Sequence, residues 1–295
     1  MKKLFTIASF MGCALLAGIM TSCDDMPYPK KEPKASCIED LNHPDFRLGL
    51  ALGARSMYVG EKRMPQSRMG YFNSHYAAYD ALNRKKIDAY IFDSHTLEYM
   101  AATNPEYAVL PGSIGTVDIA IGVSPRQQSL LGPINAFIDE YRATGIDDEM
   151  YKRWIQMDGG TPTNPSDFAV QRMPEIEVPA APERKLVVGV CSQLEPMCYR
   201  KPDAETDELI GFDMELLKRL ALHLNASYEL RDLDYVTMMH ELAAGNLDIV
   251  VAGLNRTSVR EADIRFSKNY ITARIVALVR ASTKSDKPEY VTNPR

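Results

Sequence analysis

The sequence predicts an α/β protein of two Rossmann-like lobes, each on its own largely parallel sheet. Three observations carry this. In both halves of the chain, short apolar runs of strand type alternate with stretches whose apolar residues recur every three or four positions. Residues 158–184 hold Gly159, Gly160 and the prolines Pro162, Pro165, Pro174, Pro179 and Pro182, a composition that excludes a continuous helix or central strand and divides the chain into comparable halves. One segment also echoes another: residues 82–92 (LNRKKIDAYIF) and 242–252 (LAAGNLDIVVA) both read as helix end, turn, Asp and buried strand.

Taken in order, the chain opens with Met1, Lys2 and Lys3, then an uncharged apolar stretch to Met20, then Thr21, Ser22 and Cys23, with Asp24 and Asp25 behind them. This is the order of an export signal, and its apolar core is shorter than the roughly 20 residues of a spanning helix. Residues 24–36 (DDMPYPKKEPKAS) read as a Pro- and charge-rich tether. In the first half, 46–52 is a strand ending at Gly53, 77–83 a helix, and 87–92 and 119–123 strands. Leu130, Ile134, Phe137, Ile138 and Tyr141 then line one helix face. Gly145 ends that helix, Asp147 caps the next, and Met150, Tyr151, Trp154 and Ile155 form its buried side. In the second half, 186–190 is a strand. A helix opened by Asp213 buries Phe212, Leu216, Leu217, Leu220, Ala221 and Leu224. Residues 227–230, 249–252 and 275–279 are strands, with a helix at 236–244.

The formal net charge of −5, with no Lys/Arg cluster, argues against a nucleic-acid partner. No segment after the signal is long and apolar enough to span a bilayer as a helix. Behind Cys23 stand Cys37, Cys191 and Cys198. Export permits a disulfide, and Cys191 and Cys198 are close enough in sequence to pair; two free thiols at a core edge fit equally. Their spacing without a nearby His is a poor zinc signature, and no metal or cofactor motif is found.

In open α/β sheets, ligands sit beyond the carboxyl ends of the strands, which directs attention to Asp93 and to residues 253–260. Residues 252–260 (AGLNRTSVR) leave a strand and start a helix that Thr257 caps; the exposed N–H groups there suit an anion, and Arg260 can fork onto a carboxylate. The same pattern suits a capped surface helix with a solvated Arg. Residues 50–56 (LALGARS) form a second strand running into a Gly-led helix start. Asp93 can receive an ammonium, or simply cap a turn. Of the five histidines, His43, His75, His95, His223 and His240, none belongs to a nucleophile or metal motif; His95, two residues after Asp93, is the candidate base if the chain were an enzyme.

Residues 211–213 (GFD), 248–253 (DIVVAG), Thr257 with Arg260, and 266–270 (FSKNY) together resemble lobe one of the polar amino-acid-binding periplasmic proteins, the family-3 solute-binding proteins. Residues 37–41 (CIEDL), 49–53 (GLALG), 87–89 (IDA) with Asp93, and Tyr151 with Trp154 look like that family's lobe two and closing helices. The resemblance implies the type II periplasmic binding protein fold with the lobe order reversed. The chain then divides into a signal (1–22), tether (23–36), lobe two (37–126), closing helices packing on lobe one (127–157), linker (158–184), lobe one (185–281) and a C-terminal tail (282–295). Such an order is a circular permutation; half-proteins pairing between chains, or a degenerate tandem, would give the same order. Cutting the family's chain at one hinge crossing predicts a single covalent link near residues 120–128, with the segments around Cys37 and Ala281 side by side at the hinge.

The resemblance further implies that Arg260 binds a ligand carboxylate with help from the backbone near Gly253 and Asn255. Asp93 takes the α-ammonium, Tyr235 and Leu194 line the slot, and Ala54 and Arg55 begin the lobe-two helix that meets the same carboxylate. Cys191 and Ala51 stand where the family often places polar readers. Residues 20–23 resemble a lipobox, with Cys23 as the lipidated residue. The implied function is capture of an amino acid or similar small carboxylate, without a cofactor and without catalysis, for an ABC-type membrane permease. The implied location is the periplasmic side of a bacterial membrane, held to the bilayer through Cys23. A ligand sensor or envelope scaffold is the alternative, favoured by the missing polar readers; a dehydratase-like enzyme comes behind both.

Overall fold

The computed structural model describes residues 32–155, 173–177, 179–200 and 207–287. The export signal, Cys23 and most of the linker lie outside the described residues. Among the described residues no helix is long and apolar enough to cross a membrane.

The N-terminal lobe is built from β1 (Arg47–Ala51), α1 (Arg55–Arg63), β2 (Arg68–Phe72), α2 (His75–Asn83), β3 (Ala89–Asp93), α3 (Ser94–Thr103) and β4 (Tyr107–Val109). β1 and β3 are buried at every position, as strands covered by helices on both faces must be, and β1 runs parallel to both β2 and β3. α2 starts where the Ser74 hydroxyl accepts the Ala77 N–H. The C-terminal lobe repeats the plan with β6 (Arg184–Val190), α6 (Phe212–His223), β10 (Ala226–Asp232), α7 (Tyr235–Ala244) and β11 (Ile249–Val250), β6 running parallel to β10 and β11. A three-stranded excursion, β7 (Gln193–Leu194), β8 (Cys198–Arg200) and β9 (Leu209–Ile210), precedes α6.

The echo seen in the sequence is a shared fastening. Asp88 N–H donates to the Arg47 carbonyl at 2.7 Å while the Arg47 N–H donates to the Asp88 carboxylate at 3.0 Å. Asp248 does the same with Val187, at 2.8 Å in both directions. Each Asp thus fixes the register between the first and third strands of its lobe at the end remote from the cleft.

Two long antiparallel strands join the lobes: β5 (Gly115–Val123) and β12 (Arg265–Arg280). β5 starts opposite Ile275 and ends beside β11 in the C-terminal lobe. β12 starts opposite Val123, shifts register around Asn269, and finishes against β3 and β4 in the N-terminal lobe. The described sheet is therefore continuous, in the order β10-β6-β11-β5-β12-β3-β1-β2, with β4 beside β12. This corrects the expectation of a single covalent crossing. β12 carries the chain through the hinge a second time, and residues 275–279, placed by sequence in lobe one, extend the N-terminal lobe's sheet.

The segments around Ala35 and Lys284 do lie side by side, but at the outer end of the N-terminal lobe. Ala35 pairs with Lys284, its N–H donating to Thr283 and its carbonyl accepting from Ser285. The tether therefore ends before Ala35, which is fully buried, and the tail does not begin at residue 282, because Thr283 is buried too. The linker also ends earlier than expected, since Arg184 already belongs to β6.

α4 (Leu131–Ala143) and α5 (Ile146–Trp154) pack against α6. The Trp154 indole N–H and the Arg153 and Arg219 guanidiniums all donate to the buried Glu215 carboxylate. α5 is capped by Gly145, in the left-handed region at φ 74°, and not by Asp147, which falls within the first turn. Tyr151, expected on the buried face, is exposed. Cys191 and Cys198 are free thiols, as is Cys37. The β7–β8 hairpin sets Leu194, not Cys191, opposite Cys198, which explains the missing bridge.

Candidate ligand-binding cleft

The carboxyl ends of both parallel strand sets face one cleft. From the C-terminal lobe, the chain leaves β11 through Gly253, whose φ of +57° suits glycine, and reaches α8 (Ser258–Glu261). Thr257 caps this short helix, accepting the Arg260 N–H. The loop is held from beneath. Asp213 was expected to open α6, but Gly211 takes the cap position and the Asp213 carboxylate turns inward. It accepts the Gly253 N–H at 2.7 Å and the Tyr270 hydroxyl at 2.7 Å. Burial nevertheless pushes its pKa up to about 7, against the lowering effect of those two donors.

From the N-terminal lobe comes Asp93, at the end of β3. It holds the N-cap position of α3, yet its side chain caps nothing and reaches instead across the cleft. Asn255 Nδ2 donates to Asp93 Oδ2 at 3.0 Å. Burial raises the Asp93 pKa to about 6, while the Asn255 hydrogen bond and the nearby Arg260 charge pull it down. Arg260 spans the lobes as well: its guanidinium donates to the Asn255 carbonyl and to the Gly53 carbonyl, both at 2.7 Å. Burial lowers the Arg260 pKa, opposed by Tyr235 and Asp93. The Ser74 hydroxyl to Gln193 Oε1, at 2.8 Å, is a further bridge.

Six residues singled out from the sequence thus meet here: Arg260, Asp93, Asn255, Gly253, Tyr235 and Leu194. The Tyr235 hydroxyl donates to the Ala252 carbonyl, and Tyr235, Leu194 and Gly253 line the space beside Asp93. Ala54 is the buried cap residue of α1. The Arg55 side chain does not join them. It lines an outer groove with Arg256, Thr257 and Ser258, because its position at the start of α1 turns it away from the closed cleft. Residues at the cleft that the sequence does not mark are Ser74, Gln193 and Met197, and His95 lines it as well; of these only His95 carries a sequence signal, two residues after Asp93.

The enclosed space between the lobes is a cavity of about 10 Å³, lined by Phe92, His95, Thr96, Ile119 and Met197 besides the residues named above. That is room for one water-sized group. The fork of Arg260 and one oxygen of Asp93 are engaged by the chain's own groups. These are a cation and an anion on opposite lobes, each held by internal partners. Among the described residues no group of three or more His, Cys, Asp or Glu is arranged to hold a metal ion.

Residues 186–291 match the bacterial extracellular solute-binding proteins, family 3. The arginine-binding extracellular protein ArtP of Bacillus subtilis (strain 168) is 32% identical over 91 residues, covering 31% of this chain and 34% of that protein. The ABC transporter glutamine-binding protein GlnH of the same organism is 29% identical over 129 residues, covering 44% and 47%. The chain therefore spans less than half the length of these relatives. Among solved structures, the unliganded L-cystine solute receptor of Neisseria gonorrhoeae is 25% identical, covering 28% of this chain and 34% of that one, with a TM-score of 0.25. The GluR0 ligand-binding core with L-glutamate is 8% identical over 80% of this chain and 84% of that one, with a TM-score of 0.43. Two α/β lobes, a pair of hinge strands and a cleft between them make this a type II periplasmic binding protein fold.

Proposed function

We propose, starting from residues 186–291 as a segment of the family-3 solute-binding proteins, that this chain captures an amino acid or similar small carboxylate outside the cytoplasm and presents it to an ABC-type permease. The observation that carries this is the facing pair across the cleft, with Arg260 from one lobe and Asp93, bridged by Asn255, from the other. A ligand carboxylate replaces the carbonyls on the Arg260 fork, and its ammonium takes the place of internal donors at Asp93. Because the two half-sites sit on separate lobes, binding is coupled to closure about β5 and β12. The export signal and Cys23 add the reading of a lipid-anchored envelope protein.

We read the chain order as a circular permutation. The pairing of Ala35 with Thr283 and Ser285 supports this, since it brings both sides of the cut together beyond the hinge, leaving both crossings intact. A rejoined chain running 173–287 into 32–155 through a short Gly/Ser linker should then fold, with its Tm within a few degrees of the original; failure to fold would favour pairing between chains.

The functional test is a thermal-shift screen of the chain from Asp24 onward against amino acids and organic acids. A ligand at 100 times its Kd adds about 2.7 kcal/mol, a Tm rise of a few degrees for a chain of this size. The shift should vanish in Arg260→Ala. One observation favours a second reading, that of a sensor or scaffold: in the closed cleft, internal groups already occupy the Arg260 fork. No shift with any compound would select it.

A further inference from the structure

Asp93 and His95 line the same small cavity, and each keeps one buried acceptor without a hydrogen-bond partner among the described residues. Asp93 commits Oδ2 to Asn255, while its buried Oδ1 has no hydrogen-bond partner among the described residues. His95, only 5% exposed, holds Nε2 at 3.2 Å from the Thr272 carbonyl oxygen. A carbonyl oxygen only accepts, so Nε2 carries the proton, and the neutral ring presents a lone pair at Nδ1. That Nδ1 is also buried and unpartnered, and His95 and Asp93 line the one cavity. Two features keep the ring neutral. It lies in the first turn of α3, whose positive end disfavours an imidazolium. Burial, with the Arg274 charge acting the same way against the Thr272 hydrogen bond, pulls its pKa down to about 4. Tyr151 packs edge-on against the ring at 5.9 Å between centroids. Two residues that line one space of about 10 Å³ thus each keep a buried acceptor unpartnered, and a water-sized group rich in donors would satisfy both.

We propose that His95 Nδ1 is a second acceptor for the ligand's ammonium beside Asp93 Oδ1, and that the pair restricts the cleft to ligands bearing an unsubstituted primary ammonium. This rests on the reading that the cleft opens for a small zwitterion. An ammonium has three N–H donors and satisfies both acceptors at once. A hydroxyl, or a dimethylated ammonium, has one and strands the other in a buried site, the situation in which polar sites discriminate most strongly.

The test is calorimetric titration of the twenty L-amino acids into the chain from Asp24 onward, as wild type, His95→Phe, His95→Asn and Arg260→Ala. Each binder is then repeated as its N,N-dimethyl and 2-hydroxy counterparts. Affinity should fall about tenfold or more in His95→Phe and recover in part in His95→Asn, whose amide oxygen restores an acceptor. Both counterparts should bind at least about tenfold more weakly than the parent amino acid. Nitrogen-15 NMR of the wild type at neutral pH should find His95 protonated at Nε2 and bare at Nδ1. Undiminished binding in His95→Phe, with binding lost in Arg260→Ala, overturns the role of His95 and leaves the cleft reading standing. A His95 ring protonated at Nδ1 overturns it whatever binds. No binding of any amino acid to the wild type overturns the ammonium role, and the cleft reading falls with it only if organic acids fail to bind as well.

Discussion

The outer ends of the two lobes use one backbone device and two different charge arrangements. In the C-terminal lobe, Asp248 receives the Val187 N–H and the Gln127 side-chain amide, a neutral donor. In the N-terminal lobe, Asp88 receives the Arg47 N–H and two buried guanidiniums, those of Arg47 and Arg280. Arg280 also donates to the carbonyls of Leu82 and Ile87 and to Glu32. The extra charge stands in the lobe where Ala35 pairs with residues 283–285. Arg280, near the end of β12, thus ties that strand to the α2–β3 connection and to Glu32 through several fixed donors.

The largest effect expected from this contrast is at Arg280. Arg280→Ala leaves two carbonyls and a share of the Asp88 charge buried without that partner, and should cost about 3–5 kcal/mol, read from urea denaturation. Gln127→Ala, at the equivalent station, should cost about 1 kcal/mol. Equal losses would break the comparison. The next effect sharpens it. Gly49 and Gly189 occupy matching places in β1 and β6, and overpacking at either should cost about 1–3 kcal/mol. A Cβ at Gly189 would crowd Leu247, Val250 and Met238, at 2.8, 3.0 and 3.1 Å. At Gly49 the closest clash, 2.5 Å, is with the movable end of Ile87. The nearest atom at each site is a side-chain methyl end, with Phe72 a further 3.1 Å contact at Gly49, so Gly49→Ala and Gly189→Ala should lower Tm by similar amounts, and a loss at one alone would set the two strands apart.

The smallest effect is a slope in pH. Asp213, under the Gly253 loop, has a folded pKa of about 7, well above the ordinary value of about 4. Between these values the native state binds the extra proton, so this group's contribution to stability falls as pH rises from about 4 to about 7. Asp213→Asn removes that slope, and the variant should gain on the wild type as pH rises across this window. His75 and His95, with pKa values lowered to about 4, slope the other way, but they are common to both proteins and cancel in the difference. A pH-independent difference in denaturant midpoint would contradict the buried-acid account.

The strands that were legible, β1, β3 and β6, are continuous apolar runs, and the loop from Gly253 to Arg260 carried a spaced motif. β12 was read only over residues 275–279, because its first part mixes Arg265, Lys268, Asn269, Thr272 and Arg274 into the pattern. Those residues lie where the strand bridges two lobes and is exposed along one edge, so tertiary pairing, not local periodicity, makes it a strand. β2 (RMGYF) was missed for a similar reason, as a half-exposed strand beyond β1 at the end of the sheet. Asp213 misled because an acid in the first turn of a helix looks like a cap. Only the fold reveals that its oxygens point inward at Gly253 and Tyr270. Arg55 misled in the opposite sense, since a helix start next to the cleft does not decide on which side its first side chain emerges.

The most direct test of the cleft is a calorimetric titration of the binder found by screening, at neutral pH and again at about pH 5, with wild type and Arg260→Ala. One saturable site per chain is expected at neutral pH, and none in Arg260→Ala. At about pH 5 binding should be weaker, because Asp93, with a pKa of about 6, is then largely protonated and no longer offers a charge to the ammonium. Binding of equal strength in Arg260→Ala would contradict the cleft reading, and so would an absence of heat with every amino acid and small carboxylate tried.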